Sequence, residues 1–213
     1  MAVVVGTNAG FVSEAPSSDP GGSQSLGADN YSRTQLDTSP ADSIRITEVG
    51  WWCDNATEAA NFEVGLYAPD GDGGDPGTRL YVDATNAKGT TAGWKSVSVD
   101  WEIDANTAYW IAFQLDDTST GTNLDSSWNE SDGFGGQDGD TSLSNPYGSC
   151  NSNTFLTLAI YAVVETGASG TNFQVNVDDA FKAVSAIKVN ADDAWKAVVS
   201  AKVNKDDVWK TIF

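Results

Sequence analysis

The sequence predicts an all-β protein: a jelly-roll-like two-sheet β-sandwich followed by a small C-terminal β-repeat appendage. Three observations carry this expectation. Between residues 44 and 163, six runs rich in Val, Ile, Tyr, Phe and Trp are each bounded by Gly, Asp, Asn or Pro, as short strands are. No good amphipathic helix separates them, which favours antiparallel strands packed as two sheets. Finally, the end of the chain repeats every fourteen residues. Val175-Asn176-Val177-Asp178-Asp179-Ala180-Phe181-Lys182 recurs as Val189-Asn190-Ala191-Asp192-Asp193-Ala194-Trp195-Lys196 and as Val203-Asn204-Lys205-Asp206-Asp207-Val208-Trp209-Lys210. A unit so short cannot bury its own apolar face and needs neighbours stacked beside it.

Residues 1–43 read as an N-terminal arm with the first strands, near Phe11 and Tyr31, because residues 13–43 are rich in Ser, Asp, Pro and Gly. Residues 44–166 form the predicted sandwich. Its runs are Ile44 to Trp52, Asn61 to Tyr67, Thr78 to Asp83, Trp94 to Trp101, Tyr109 to Leu115 and Thr154 to Val163, with the longest loops at 70–77 and 133–139. Residues 167–172 are a linker, and 173–213 hold the three repeats. In the repeats, Trp195, Ala197, Val199, Ala201 and Val203 alternate with polar residues, Val198 excepted, and Asn190-Ala191-Asp192-Asp193 supplies the turn. A short helix capped by Asp193 competes, but the punctuation leaves room for only about ten helical residues per copy, below the ~12 at which isolated helices become stable, so strands are expected.

The chain has 213 residues, 11 Lys and Arg against 30 Asp and Glu, and a formal charge of −19. That balance repels nucleic acid and anionic lipid, so neither nucleic-acid binding nor membrane insertion is expected. The start Met1-Ala2-Val3-Val4-Val5 lacks a charged n-region and a long apolar h-region, so no standard secretion signal is expected. The absence of His excludes His-based triads and zinc-hydrolase sites. Ser and Thr without His offer no recognisable activated nucleophile, so no catalytic residue, cofactor or metal is assigned and the chain is read as non-enzymatic. Cys53 and Cys150 are candidates for one disulfide, with two reduced thiols as the alternative. Asp70-Gly71-Asp72-Gly73-Gly74-Asp75 invites a calcium reading, yet the twelfth loop position holds Tyr81 rather than Glu, and a solvated turn is expected.

Alternation also sorts the aromatics. Phe62, Val64 and Leu66, with Val97, Val99 and Trp101 and with Tyr109, Ile111, Phe113 and Leu115, are the predicted core. Tyr67, Trp94 and Trp110 fall on the opposite faces, Tyr81 lies opposite Leu80 and Val82, and one of the adjacent Trp51 and Trp52 faces outward unless a bulge intervenes. Such a face either stacks on sugar rings or is covered by a partner or by the chain's own arm. Trp51, Trp52, Tyr67, Tyr81, Trp94 and Trp110 are therefore the candidate glycan or interface aromatics.

The segments Ile46-Thr47-Glu48-Val49-Gly50-Trp51-Trp52-Cys53-Asp54, Ala60-Asn61-Phe62-Glu63-Val64-Gly65-Leu66-Tyr67, Gly93-Trp94-Lys95 and Thr107-Ala108-Tyr109-Trp110-Ile111-Ala112 resemble the sandwich domain of tailed-phage virion surface proteins. Related layouts occur in carbohydrate-binding-module-like jelly rolls. The Val-Asn-x-Asp-Asp-x-Trp-Lys tail is similar to the Val-x-x-Gly-x-Trp-Lys repeats that end phage tail-fibre and head-decoration proteins, with Asp-Asp where Gly is common. The resemblance implies a structural virion surface protein, made in the host cytoplasm. It would assemble with itself, a trimer being favoured, and with other virion proteins. Phe181, Trp195, Trp209 and the terminal Phe213 would carry oligomerisation. The alternative is a carbohydrate-binding module or adhesin whose partner is a host-surface glycan.

Overall fold

The computed structural model describes residues 2–28, 31–53, 61–85, 91–116, 123–128, 133–138, 141–150 and 156–167, and in the repeats 174–177, 180–183, 188–191, 194–197, 202–205 and 208–211. The chain divides into two compact units, Met1–Glu165 and Thr166–Phe213.

The first unit is an all-β sandwich. Its strands are β1 (Gly10–Val12), β2 (Gln24–Gly27), β3 (Tyr31–Thr38), β4 (Ser43–Cys53), β5 (Phe62–Tyr67), β6 (Arg79–Thr85), β7 (Gly93–Glu102), β8 (Ala108–Leu115), β9 (Asn123–Trp128), β10 (Phe134–Asp138), β11 (Leu156–Leu158) and β12 (Ile160–Thr166). One sheet runs β1-β12-β4-β9-β11, with β7 added on β4 and β2 on β9; the other runs β10-β3-β8-β5-β6. Within these lies the jelly-roll order. The strands β1, β3, β4, β5, β6, β7, β8 and β12 change sheet at every step except β5 to β6, giving β1-β12-β4-β7 facing β3-β8-β5-β6. One departure is β1, which lies parallel to β12, Gly10 opposite Tyr161.

The core forms where the alternating apolar faces meet. Phe62, Val64 and Leu66 of β5, Val97 and Trp101 of β7, and Tyr109, Ile111, Phe113 and Leu115 of β8 are all buried in it, as alternation predicts. In β4 the period is broken: Ile46, Val49, Trp51 and Cys53 all enter the core. A register shift between Ile46 and Glu48 explains this, since one bulge residue moves the inward set from even to odd positions. Trp51 then reaches across to stack on Phe113 of the other sheet, ring centroids 4.5 Å apart and planes within 12°. A polar tie crosses the same interior. Gln35 of β3, fully buried, accepts from the Leu158 N–H at 2.8 Å and donates to the carbonyls of Leu36 and Gly133 at 3.1 and 3.2 Å.

The architecture corrects several expectations. Residues 133–139 hold not only a loop but an edge strand, β10, paired along Phe134–Asp138 with β3. Its glycines are a packing requirement: a Cβ on Gly135 would stand 2.6 Å from Thr34 Oγ1 and 2.8 Å from Cys150 Sγ. The segment 13–43 contributes two strands, and β3 sits inside the five-stranded sheet between β10 and β8.

The second unit is built of hairpins. Gln174–Val177 (β13) pairs with Ala180–Ala183 (β14), Lys188–Ala191 (β15) with Ala194–Ala197 (β16), and Lys202–Lys205 (β17) with Val208–Thr211 (β18). Each copy of the repeat is thus one antiparallel hairpin in the same register, with Asn176, Asn190 and Asn204 opposite Phe181, Trp195 and Trp209. Strands prevail over the competing helix. The expected four-residue turn is shorter, because Asn190 and Ala191 belong to the ladder. The Asp-Asp pairs, the stretch 198–201 and Phe213 lie outside the described residues.

Candidate functional site

The six candidate aromatics have three fates. Trp51 is core. Tyr67 and Trp110 do lie on the outer face of the five-stranded sheet, as alternation predicts, but residues 141–150 fold over them. Leu143 and Tyr147 complete a second apolar cluster there. Tyr147 meets Tyr67 edge-on at 5.1 Å and its hydroxyl is 2.9 Å from Ser32 Oγ; Tyr67 donates to the Ser144 carbonyl at 2.8 Å, and Trp110 Nε1 to Gly74 at 3.0 Å.

On the outer face of the other sheet, Trp52 and Trp94 are directly opposed across β4 and β7, ring centroids 5.4 Å apart, and Trp94 meets Tyr161 of β12 at 5.2 Å. Gly50 makes room for Tyr161, whose ring would lie 2.7 Å from any Cβ at that position. The Tyr161 hydroxyl donates to the Glu48 carboxylate, and burial, followed by that bond and charge, pushes its pKa up. Part of the N-terminal segment reaches this cluster: Trp94 Nε1 donates to the Ser18 carbonyl at 2.9 Å.

Tyr81 corrects the face assignment of β6. Register pairs it with Leu66, a core residue, so Tyr81 points inward and stacks on Trp101, centroids 5.5 Å apart, planes within 8°. Val82 consequently faces out, 40 % exposed, while Leu80, passed over by the register shift between Leu66 and Tyr67, is 42 % exposed. β6 is an edge strand, where the alternation Leu-Tyr-Val is apolar on both faces and only the partner's register tells them apart. The most exposed aromatic among the described residues is one the alternation did not single out, Trp128 of β9, at 65 %.

The acidic loop closes on itself. Asp70 accepts from the Thr78 N–H at 2.6 Å and the Thr78 hydroxyl at 2.7 Å, and these bonds, the hydroxyl first, lower its pKa. Asp72–Gly74 forms one turn of 3-10 helix. This is turn chemistry, in which the carboxylate satisfies donors of the loop.

No disulfide joins Cys53 to Cys150. They belong to different clusters, Cys53 to the core between the sheets and Cys150 to the packing under residues 141–150, so the candidate disulfide gives way to its alternative. Burial, then the charge of Asp75, pushes the Cys150 thiol up to about 11.

One open cleft stands out. At the flank where β6 and β7 edge their sheets, a cavity of about 660 Å³ is lined by Ile44, Leu80, Tyr81, Glu102, Asp104 and Tyr109. Ile44 is 44 % exposed. The phenols are engaged locally, Tyr81 donating to the Glu102 carbonyl and Tyr109 accepting from the Asp104 N–H, both at 3.0 Å. The cleft therefore offers apolar contact and two exposed acidic residues. Glu102 and Asp104 carried no sequence signal, being two acids among thirty. No family model, no curated protein and no solved structure matches the chain.

Proposed function

We propose that this chain is a non-enzymatic, self-assembling surface protein of a virion, of the capsid-decoration, fibre or tail-tip kind. The sandwich is the displayed part and the three hairpins are the assembly element. The observation that carries the assembly reading is that each repeat is a separate two-stranded sheet of four residues per strand. A lone hairpin of that size is marginal in water, and three or more strands with a shared apolar face are needed for stability. Symmetric copies of the chain supply those strands, and closed cyclic symmetry favours a trimer. The virion assignment rests on the sequence resemblance.

The candidate aromatics favour this reading over a glycan platform. Trp51, Tyr67 and Trp110 are buried, and Trp52, Trp94 and Tyr81 are half-buried against neighbouring rings. Sedimentation velocity on the full chain and on Trp195→Asp/Trp209→Asp tests the assembly. The wild type is expected to sediment as a single closed oligomer and the variant as monomer; a monomeric wild type overturns it. Immunogold labelling of intact particles tests the virion assignment.

A further inference from the structure

Three of the five exposed large hydrophobics among the described residues, Ile44, Leu80 and Val82, lie at the β6 flank, two of them along β6 itself. β6 pairs only with β5 and β7 only with β4 on their long edges among the described residues, so each leaves one edge open. An open edge beside exposed apolar side chains is a template for strand addition: main-chain bonds give affinity and alternate side chains give selectivity. Charge then decides what is added. The Glu102 and Asp104 carboxylates in the cleft have no hydrogen-bond or ion-pair partner among the described residues, and Asp83 is exposed on the same strand as Leu80 and Val82. Residues 1–165 hold 24 acidic and five basic residues, so a second sandwich is repelled.

We propose that this flank is a docking site for an extended, basic and apolar segment of a partner protein, added as a strand on β6. Alternate side chains of the segment cover Val82 on the outer face, while the others enter the cleft over Ile44, Leu80 and Tyr81. Lys or Arg of the segment meet Glu102 and Asp104. The ring of Tyr81 already stacks on Trp101 and that of Tyr109 meets Phe11 edge-on, while Ile44 and Leu80 add aliphatic walls, which suits a peptide side chain better than a sugar.

The test is fluorescence anisotropy of a labelled twelve-residue peptide of alternating valine and lysine against the full-length protein. Saturable binding is expected, lost at least tenfold in Glu102→Gln/Asp104→Asn and in Leu80→Ser/Val82→Ser. It should be retained in Asp72→Asn/Asp75→Asn, which removes the same charge from another loop. Thermal melts confirm that the variants are folded. Equal loss in both charge variants reduces the effect to net charge and overturns the proposal. So does binding that is no stronger than that of a valine–glutamate peptide, or that persists when alternate backbone amides of the peptide are methylated. None of these outcomes bears on the hairpins, so the site and the assembly reading fail separately.

Discussion

At the residue scale, the sandwich interior depends on a few side chains that join its sheets. Gln35 satisfies a backbone N–H of one sheet and two carbonyls beside its own strand. Gln35→Leu keeps the bulk but strands the Leu158 N–H, and a buried unpaired donor costs about 1–3 kcal/mol; urea unfolding is expected to show a loss in that range. Trp51 is the contrasting case, because its buried Nε1–H has no hydrogen-bond partner among the described residues. Trp51→Ala removes the ring stacked on Phe113 and is expected to cost about 3–5 kcal/mol, whereas Trp51→Phe keeps an apolar ring, removes the unpaired donor and should cost clearly less in the same experiment. The cysteines add a pH signature. A thiol such as that of Cys150 ordinarily titrates at 9.0, and burial in the fold pushes it up to about 11, so folding favours its protonated form. That contribution is complete below pH 9 and is lost as pH rises through the folded value. The raised Tyr161 acts in the same direction at still higher pH. Stability measured by urea unfolding should therefore fall on the alkaline side. Cys150 should react slowly with a thiol reagent at pH 8, and faster in Asp75→Asn, where the second cause of its shift is gone.

At the element scale, two coverings hide aromatics that alternation correctly placed outside the sheets. Residues 141–150 cover Tyr67 and Trp110; part of 13–22 reaches Trp94. Trp94→Phe removes the bond to Ser18 while keeping a ring beside Trp52, so amide hydrogen exchange in residues 14–22 should quicken while the strand amides of β4 and β7 stay protected. These coverings also mark how far the sequence could be read. β5, β7 and β8 were legible because apolar and aromatic residues recur in them at period two, and β4 because it is rich in Ile, Val and Trp although its bulge breaks the period. β9 was not: Asn-Leu-Asp-Ser-Ser-Trp reads as polar, yet Asp125, Ser126 and Ser127 are buried because β2 and β11 flank the strand. The Gly22 N–H and the Val3 N–H then pair with Asp125 and Ser127. β10 was hidden by glycines whose missing side chains are their role. The cleft was hidden for a different reason, since the inward turn of Tyr81 and the irregularity at Leu80 follow from the register of β6 on β5 rather than from anything in β6 itself.

At the scale of the whole molecule, charge is segregated. The sandwich unit holds five of the eleven basic residues and 24 of the thirty acidic ones, and the repeat unit holds six of each. The entire formal charge of −19 therefore sits on residues 1–165, and the hairpin unit is net neutral. Copies of the hairpins can approach without mutual repulsion, whereas copies of the sandwich cannot. An assembly held by the repeats would thus be opposed at low ionic strength by its own sandwiches, whose repulsion is screened beyond a Debye length of about 8 Å at 0.15 M salt. Association of the full chain is accordingly expected to strengthen as salt rises from about 0.01 M, where that length is about 30 Å. A fragment ending at residue 165, which retains the main apolar core, should stay monomeric at every salt concentration. Sedimentation equilibrium across a salt series reads both. If the fragment associates as the full chain does, or if salt weakens the full-length oligomer, the contact runs through the charged sandwich and the neutrality of the repeats has no part in assembly.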